Sequence, residues 1–201
     1  MKALVLPIVV PLSTAAVLML APKRAVPQRS ISLIGSVLLL ASTIVVFQQV
    51  NTAGIQVLQI SAWPAPFGIT IVADLLAAVL VVAVGVVGAV ITIVAFAGVD
   101  PQREAFGYHP LFHILLMGVA GAFLTGDLFN LYVCFEVMLV ASFVLMALGR
   151  TRAQMEAAFK YVTLNLIASS VFLTALGLLY GATGTLNMPI DGLPDSKLYV
   201  S

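Results

Sequence analysis

Glu136 is the side chain whose position in this sequence most strongly indicates chemistry. It is the only charged residue between Asp127 and Arg150, in a stretch that is otherwise apolar. If residues 127–148 form one helix, a rise of 1.5 Å per residue puts Glu136 about 14 Å along an axis of about 33 Å. That position lies near the midplane of a bilayer. A carboxylate there is costly and by default handles protons or ions inside a helix bundle.

The helix face around Glu136 is predicted to be apolar and aromatic. Residues within about 60° of it on a helical wheel are Phe129, Tyr132, Val133, Leu139, Val140 and Phe143. Desolvation on such a face disfavours the ionised carboxylate, so easy proton exchange is expected unless a basic partner lies opposite. The alternative is a protonated glutamic acid that hydrogen-bonds to another helix and only holds the packing together. A Glu136→Gln variant separates the two, because only a proton relay predicts loss of transport.

Two aspartates are candidate ion-access groups at the outer ends of helices. Asp127 lies nine residues before Glu136 and hence on the opposite side of the helix. An N-cap helped by the helix dipole is the favoured interpretation of Asp127. Asp74 falls near the start of another apolar stretch, where it could cap a helix, admit an ion or pair with a basic residue.

Lys160 is the candidate basic group for proton uptake. It follows Glu156 by four residues, an order that also suits a simple ion pair, and its long side chain could equally reach the membrane surface. The helix that it begins carries small and polar residues on two faces: Thr163, Ser170, Thr174 and Gly177 on one, Asn165 and Ser169 on the other. They favour helix packing, with the wall of a hydrated path as the alternative.

The two histidines and the single cysteine give weaker signals. His109 and His113 stand at the start of an apolar stretch, where histidines are more often surface groups, although an imidazole suits proton uptake. Cys134 excludes an internal disulfide, and no cluster of cysteine and histidine has metal-ligand spacing. The sequence therefore predicts no metal site and no cofactor.

The composition predicts an all-α polytopic membrane protein. Of the 201 residues, 62% are hydrophobic and 8% are charged, which leaves too few charges to cover a soluble domain. The net charge of +1 gives no indication of nucleic-acid binding. We expect one transmembrane domain over residues 1–201, surrounded by the lipid bilayer.

Six stretches are long and apolar enough to cross a hydrocarbon core of roughly 30 Å. They cover residues 3–21, 31–50, 71–97, 111–126, 127–149 and 157–181. Thr125-Gly126-Asp127 predicts a tight turn between the fourth and fifth, with one long bent helix as the alternative. Residues 51–70 are expected to form a short outer strand and turn, with Trp63 at headgroup depth. Residues 182–201 are predicted to be an exposed tail, truncated between helices.

Basic residues orient the predicted bundle. With six spans, the loops after the first, third and fifth share one side. They hold Lys23, Arg24, Arg29, Arg103, Arg150 and Arg152. Because basic loops stay in the cytoplasm, the N-terminus, the 51–70 loop and the tail are predicted to lie outside. One merged helix in place of the fourth and fifth spans would move Arg150 and Arg152 to the other side, so the charges favour six spans.

The stretch Phe123-Leu-Thr-Gly-Asp-Leu-Phe-Asn-Leu-Tyr-Val-Cys-Phe-Glu136 resembles the D subunit of the Mrp-type multisubunit sodium/proton antiporters. More distantly it resembles the antiporter-like membrane subunits of respiratory complex I. Residues 63–68, 109–112 and 177–187 support the resemblance, which runs through nearly the whole chain. The resemblance implies that Glu136 is the essential proton-handling carboxylate, and that an outer hairpin precedes the third helix.

The same resemblance implies a larger fold than this chain supplies. Family members have about fourteen helices built as inverted repeats, a general feature of secondary transporters. Their glutamate works with a lysine on a broken seventh helix, which would lie beyond residue 201. We therefore expect the chain to be the N-terminal part of a larger antiporter-like fold and to be inactive alone.

Three functions stay open at this point. The leading one is a proton-translocating subunit of a cation/proton antiporter, not an enzyme, in the plasma membrane of a prokaryote. Its partners would be other membrane subunits, and protons and sodium ions would be its substrates. The alternative is a proton-pumping subunit of a redox-driven translocase of the complex I or membrane-bound hydrogenase type. The third is a scaffold that only packs other subunits together.

Overall fold

The computed structural model describes residues 2–22, 24–60 and 68–188, most of which are helical. A 3₁₀ turn (Lys2–Val5) precedes helices α1 (Leu6–Leu20) and α2 (Ala25–Ala53). Strands β1 (Gln56–Gln59) and β2 (Thr70–Ala73) follow, then α3 (Leu75–Gly98) and the short α4 (Pro101–Ala105). The last three helices are α5 (Tyr108–Leu124), α6 (Leu128–Ala147) and α7 (Arg152–Thr183).

Within the described ranges, five helices are long and apolar enough to cross a membrane, namely α1, extended by its 3₁₀ turn, and α2, α3, α6 and α7. Helix α5 has 17 residues, or about 26 Å at 1.5 Å per residue, the lower end of the length that spans a bilayer. The predicted class, an all-α membrane protein with about six apolar helices and a small hairpin, is confirmed. Helices α5 and α6 are separate and pack against each other, so the alternative of one bent helix is wrong.

The antiparallel hairpin confirms the predicted strand and corrects the start of the third span. β1 pairs with β2, so that Gln56 lies opposite Ala73. Helix α3 begins at Leu75, and the prediction that it begins at residue 71 is wrong. Three of the four β2 residues are β-branched and favour a strand, and Asp74 then caps the helix.

Other boundaries differ by a turn or more. Helix α2 begins before the predicted residue 31, and α7 begins before the predicted residue 157. Helix α4 was not predicted. Trp63 and the predicted tail from residue 189 onward lie outside the described residues.

The core lies between α1, α2, α3 and α5. One buried cluster consists of Leu4, Val46, Val50, Ile71, Ala73, Ala78, Val81 and Leu124. A second consists of Leu39, Val84, Phe112 and Leu116. A Cβ atom on Gly85 would lie 2.8 Å from Oγ1 of Thr43, so the small residue lets α3 approach α2 closely. Helices α6 and α7 add a largely uncovered pair beside this core.

Candidate proton site on helix α6

Helix α6 begins at a polar turn that fixes it against the hairpin. Asp127 is the N-cap, and its Oδ1 accepts the backbone N–H of Asn130 at 2.7 Å. The Asn130 side chain donates to Oγ1 of Thr125 at 2.9 Å. The N–H of Gly126 donates to the carbonyl of Thr70 in β2 at 2.8 Å. The predicted turn therefore also joins the chain just before α6 to the sheet.

Asn187, just after α7, holds the same turn from the other side. Its Oδ1 accepts the hydroxyl of Thr70 at 2.9 Å, and its Nδ2 donates to the carbonyl of Gly68 at 3.3 Å. The N–H of Met188 donates to the carbonyl of Gly126 at 2.8 Å. Sequence reasoning assigned no role to Asn187, because the partners of this buried side chain are distant in sequence.

Glu136 is the ninth of the 20 residues of α6 and points toward α5. Its half-buried side chain lines an apolar groove of about 360 Å³ with Leu111 and Ile114 of α5. Val137, Val140 and Ala141 complete the lining. Oε1 of Glu136 is buried and has no hydrogen-bond partner among the described residues.

Two glycines bring α5 close to the carboxylate helix. A Cβ atom on Gly118 would lie 2.7 Å from Cγ of Met138 and 3.2 Å from the carbonyl oxygen of Cys134. A Cβ atom on Gly121 would lie 2.8 Å from Sγ of Cys134. Close approach through small residues is typical of helix packing in membranes, and here it brings α6, which carries Glu136, against α5.

The groove is chemically suited to a proton-binding carboxyl group. A buried carboxylate oxygen without a partner is unfavourable, because no hydrogen bond replaces the water that it has lost. Binding a proton, or receiving a partner from outside the described residues, removes that penalty. Tyr132, the predicted nearby hydroxyl, instead packs its ring edge-on against Phe172 of α7 at 5.8 Å between centroids.

Lys160 is not joined to Glu136 within the described part of the chain. Its Nζ lies 3.0 Å from Oε1 of Glu156, and the two side chains are 72% and 64% exposed. The simple ion pair that the i,i+4 spacing indicated is therefore present. A role in proton uptake stays a prediction.

A second cavity, of about 540 Å³, lies between α5, α6 and α7 and carries polar groups. Ser142, Tyr161, Asn165 and Ser169 line it together with Phe135, the neighbour of Glu136. The hydroxyl groups of Ser142 and Tyr161 lie 3.1 Å apart. The sequence pointed to the face of Asn165 and Ser169. Ser142 and Tyr161 were missed, because their pairing joins two helices.

On the opposite face of α7, the hydroxyl groups form hydrogen bonds within their own helix. Thr163, Ser170 and Thr174 each donate to the backbone carbonyl four residues earlier and are exposed. These bonds satisfy the hydroxyls without a second helix. The hydrated path and the packing contact predicted for this face both stay predictions.

Both aspartates predicted as ion-access groups are helix caps. Oδ1 of Asp74 accepts the N–H of Ala77 at 2.7 Å, and this side chain is exposed. Asp127 is 7% exposed and lies in the connection before α6. Burial raises the pKa of the Asp127 carboxyl, while the backbone bond from Asn130 acts in the opposite direction. Ion access through either residue stays a prediction.

The prediction that His109 and His113 are surface groups is wrong. Their exposed fractions are 1% and 0%, and both lie among α2, α4 and α5. The two histidines share one face of α5 at i,i+4 spacing, away from Leu111 and Ile114 in the groove beside Glu136.

The chain is similar in sequence and fold to membrane subunits of antiporters and related complexes. Residues 125–192 match the family described as NADH:quinone oxidoreductase/Mrp antiporter, TM. The chain is 44% identical over 184 residues to the Na⁺/H⁺ antiporter D subunit of Alkalihalophilus pseudofirmus, covering 92% of this chain and 37% of the relative. The Na⁺/H⁺ antiporter D subunit of Bacillus subtilis is 40% identical with the same coverage. The D subunit of a probable K⁺/H⁺ antiporter of Rhizobium meliloti is 40% identical, and the match covers 92% of this chain and 35% of the relative.

Two solved complexes contain subunits with the same fold. The membrane-bound sulfane sulfur reductase, an archaeal respiratory membrane complex, matches with a TM-score of 0.85 and 30% identity over 93% of this chain and 39% of the matched protein. A subunit of the Mrp complex from Dietzia sp. DQ12-45-1b matches with a TM-score of 0.85 and 30% identity. The match covers 93% of this chain and 36% of the matched protein. The chain thus spans just over a third of the proteins that it matches. Over 92% of its length the chain is similar to the D subunit of sodium/proton antiporters, and residues 125–192 are similar to the NADH:quinone oxidoreductase/Mrp antiporter family of membrane subunits.

Proposed function

We propose that the chain provides a proton-translocating site of a multisubunit cation/proton antiporter, with Glu136 as the proton-binding group. The observation that carries the proposal is the buried, unpartnered Oε1 of Glu136, which lies midway along an apolar helix and has no partner among the described residues. The names of the similar proteins, D subunits of Na⁺/H⁺ and probable K⁺/H⁺ antiporters, support the class of transport. Sodium ions and protons are the proposed substrates, and other membrane subunits are the proposed partners.

Proton binding at Glu136 would be controlled by an approaching positive charge. A cation within a few ångströms favours the ionised carboxylate, and its withdrawal favours the protonated form. Lys160, exposed in the third turn of α7, is better suited to delivering protons from the surface than to opposing Glu136.

The proposed location is the plasma membrane of a prokaryote, with the N-terminus outside. The contacts that two of the basic residues make support a basic end of the bundle near α4. Arg29 pairs with Glu104 of α4, and the guanidinium carbon of Arg150 lies 4.8 Å from the ring centroid of Phe106, just after α4. Arg29, near the start of α2, and Arg150, just after α6, therefore both contact the segment 104–106 at one end of the bundle, which the positive-inside rule assigns to the cytoplasm. Surface labelling of a cysteine introduced at Asn51, at the other end, tests the orientation.

The decisive experiment is a Glu136→Gln substitution in the full protein, assembled with its partner subunits in membrane vesicles. Sodium-dependent proton flux is expected to fall at least tenfold, because the amide cannot bind the transported proton. Glu156→Gln is the matched control, since it removes a carboxylate that is exposed, and it should leave flux within about twofold. Unchanged flux in the assembled Glu136→Gln complex would overturn the proposal.

A second candidate is a proton-pumping subunit of a redox-driven complex. The structural match to the archaeal sulfane sulfur reductase complex favours it. Purification of the native assembly discriminates between the two candidates. Iron–sulfur or nickel proteins among the co-purified subunits indicate the redox-driven complex, and small membrane subunits alone indicate the antiporter.

A further inference from the structure

A second set of ionisable groups lies at the α4 end of the bundle, apart from Glu136. Arg29 of α2 donates from Nε to Oε1 of Glu104 at 2.8 Å and from Nη2 to Oε2 at 3.2 Å. The Glu104 side chain is 2% exposed. Nε2 of His109 lies 3.4 Å from the same Oε1. Gly107, with φ of 98°, forms the turn that brings α4 back against the start of α5.

Polar contacts continue from this carboxylate into the interior. Nε2 of His113, one helical turn after His109, shares a hydrogen bond of 3.0 Å with the hydroxyl of Ser32. One turn further along α2, the hydroxyl of Ser36 lies 2.7 Å from that of Thr92 in α3. The order along the bundle is therefore carboxylate, imidazole, imidazole with hydroxyl, and a hydroxyl pair.

Each of the two imidazole rings has one nitrogen whose hydrogen-bonding capacity is not satisfied within the described part of the chain. Nδ1 of His109 and Nδ1 of His113 are buried, and neither has a hydrogen-bond partner among the residues that the structure describes. A neutral imidazole has one donor and one acceptor nitrogen, and buried polar atoms normally have partners. In the neutral tautomer with its hydrogen on Nδ1, Nε2 of His109 presents a lone pair to the Glu104 carboxyl group and can accept a proton from it.

The cluster has a route to the surface at one end. A cavity of about 350 Å³ is lined by Glu104 and Gln28 together with Gly107 and Pro110. The Arg29 side chain is 32% exposed. Glu104 thus lies between a cavity and His109, while His113 lies deeper.

We propose that Glu104, His109 and His113 form a second proton-binding site, separate from Glu136, that exchanges one proton with the α4 side of the membrane. The proton passes by way of the Glu104 carboxyl group and is held on an imidazole nitrogen of the histidine pair. On uptake the O–H bond of protonated Glu104 breaks as an N–H bond forms at Nε2 of His109, and on release the reverse transfer returns the proton to the same carboxyl group. The site rests on the proposed function for its use in transport, whereas its proton binding can be measured independently.

The charges that face the histidine pair are few. Arg29 comes from α2 and Glu104 from α4, and Tyr108 packs edge-on against His109 at 5.4 Å between ring centroids. Helices α1 and α3 contain no ionisable residue, and α6 presents Glu136 to the other face of α5. Within the described ranges, one added proton therefore forms an imidazolium beside the Arg29–Glu104 pair and no other charge.

The test is a pH titration by infrared difference spectroscopy of the full chain in its assembled complex, with and without ¹⁵N-labelled histidine. The His109→Gln, His113→Gln double variant keeps a side-chain amide near each Nε2 position but cannot bind the proton. The unaltered complex is expected to show a titrating imidazole signal that the double variant lacks. Ser36→Ala, which breaks a neutral contact in the same interface, should retain the signal.

Two further measurements keep the outcome unambiguous. Glu136→Gln is expected to lose proton flux and retain the histidine signal, so the second site and the proposed function can fail separately. Ser32→Ala keeps both imidazoles but removes the hydrogen bond to His113, so the midpoint of the signal should shift by at least half a pH unit. This variant tests the proposal even if the double variant does not assemble. Identical titration spectra for the unaltered and double-variant complexes, or an unshifted midpoint in Ser32→Ala, would overturn the proposal.

Discussion

Helices α1 to α5 and the pair α6–α7 differ in how they place polar side chains. In the first region the polar groups are buried and paired between helices, as in Ser36–Thr92 and Arg29–Glu104. In the second no polar side chain is among the fully buried residues, and only 6% of the most apolar part of each helix is buried, against 28–39% in α1 to α3. Glu136 lies at the seam between a closed core and an open face. Whatever covers the open face therefore decides how much water reaches its carboxyl group.

The largest expected effect comes from breaking the closed region. Glu104→Ala leaves Arg29 without its carboxylate, and losing one partner of a buried pair should cost about 3 kcal/mol, the low end of the range because Arg29 is partly exposed. Glu156→Ala breaks the exposed pair with Lys160 and should cost about 0.3 kcal/mol. Thermal unfolding of the two purified complexes measures the difference. Equal losses would contradict the contrast between the regions.

The seam itself is tested by adding a methyl group between α5 and α6. Gly118→Ala places a Cβ atom 3.2 Å from the carbonyl oxygen of Cys134, a backbone atom that cannot turn aside. Destabilisation by about 1–3 kcal/mol is expected, together with reduced proton flux as the groove beside Glu136 changes width. Gly177→Ala is the control on the open face, where a Cβ atom meets nothing within 4 Å. It should raise stability by up to about 1 kcal/mol, since alanine is the better helix former.

The sequence predicted features that depend on local signals. The apolar run around Glu136 predicted the helix and its midpoint carboxylate, and Thr-Gly-Asp predicted the turn and the cap at Asp127. The ion pair of Glu156 with Lys160 followed from spacing alone. Each of these depends on residues within a few positions of one another, and for that reason one sequence was sufficient.

Features that join distant segments could not be predicted in this way. From their positions in the sequence, His109 and His113 look like histidines at a membrane interface. Only the fold brings Glu104 of α4 against His109 and Ser32 of α2 against His113. The β2 strand looks like the start of an apolar span, and only pairing with β1 makes it a strand. In both cases the residue types showed whether the side chains are polar or apolar. The residues that they contact, and hence how deeply they are buried, depend on the tertiary fold.

Asp127 offers an intermediate effect, because it belongs to both a cap and the buried turn. Asp127→Ala removes the bond to the N–H of Asn130 and should cost about 1 kcal/mol, measured by thermal unfolding. Asp127→Asn keeps an N-cap acceptor and removes the charge. If the residue only caps α6, the Asn variant should transport ions within twofold of the unaltered complex. A loss of flux in Asp127→Asn with unchanged stability would favour ion access.

Lys160 gives the smallest stability effect and the sharpest test of the open face. Lys160→Ala and Glu156→Ala each remove the same exposed ion pair, so both should change the free energy of unfolding by only about 0.3–0.5 kcal/mol. Their effects on transport need not match. A surface pair predicts unchanged proton flux in both variants, whereas proton delivery through Lys160 predicts reduced flux in Lys160→Ala alone. Flux measured on both variants in the assembled complex decides between the two, because their stability losses cancel in the comparison.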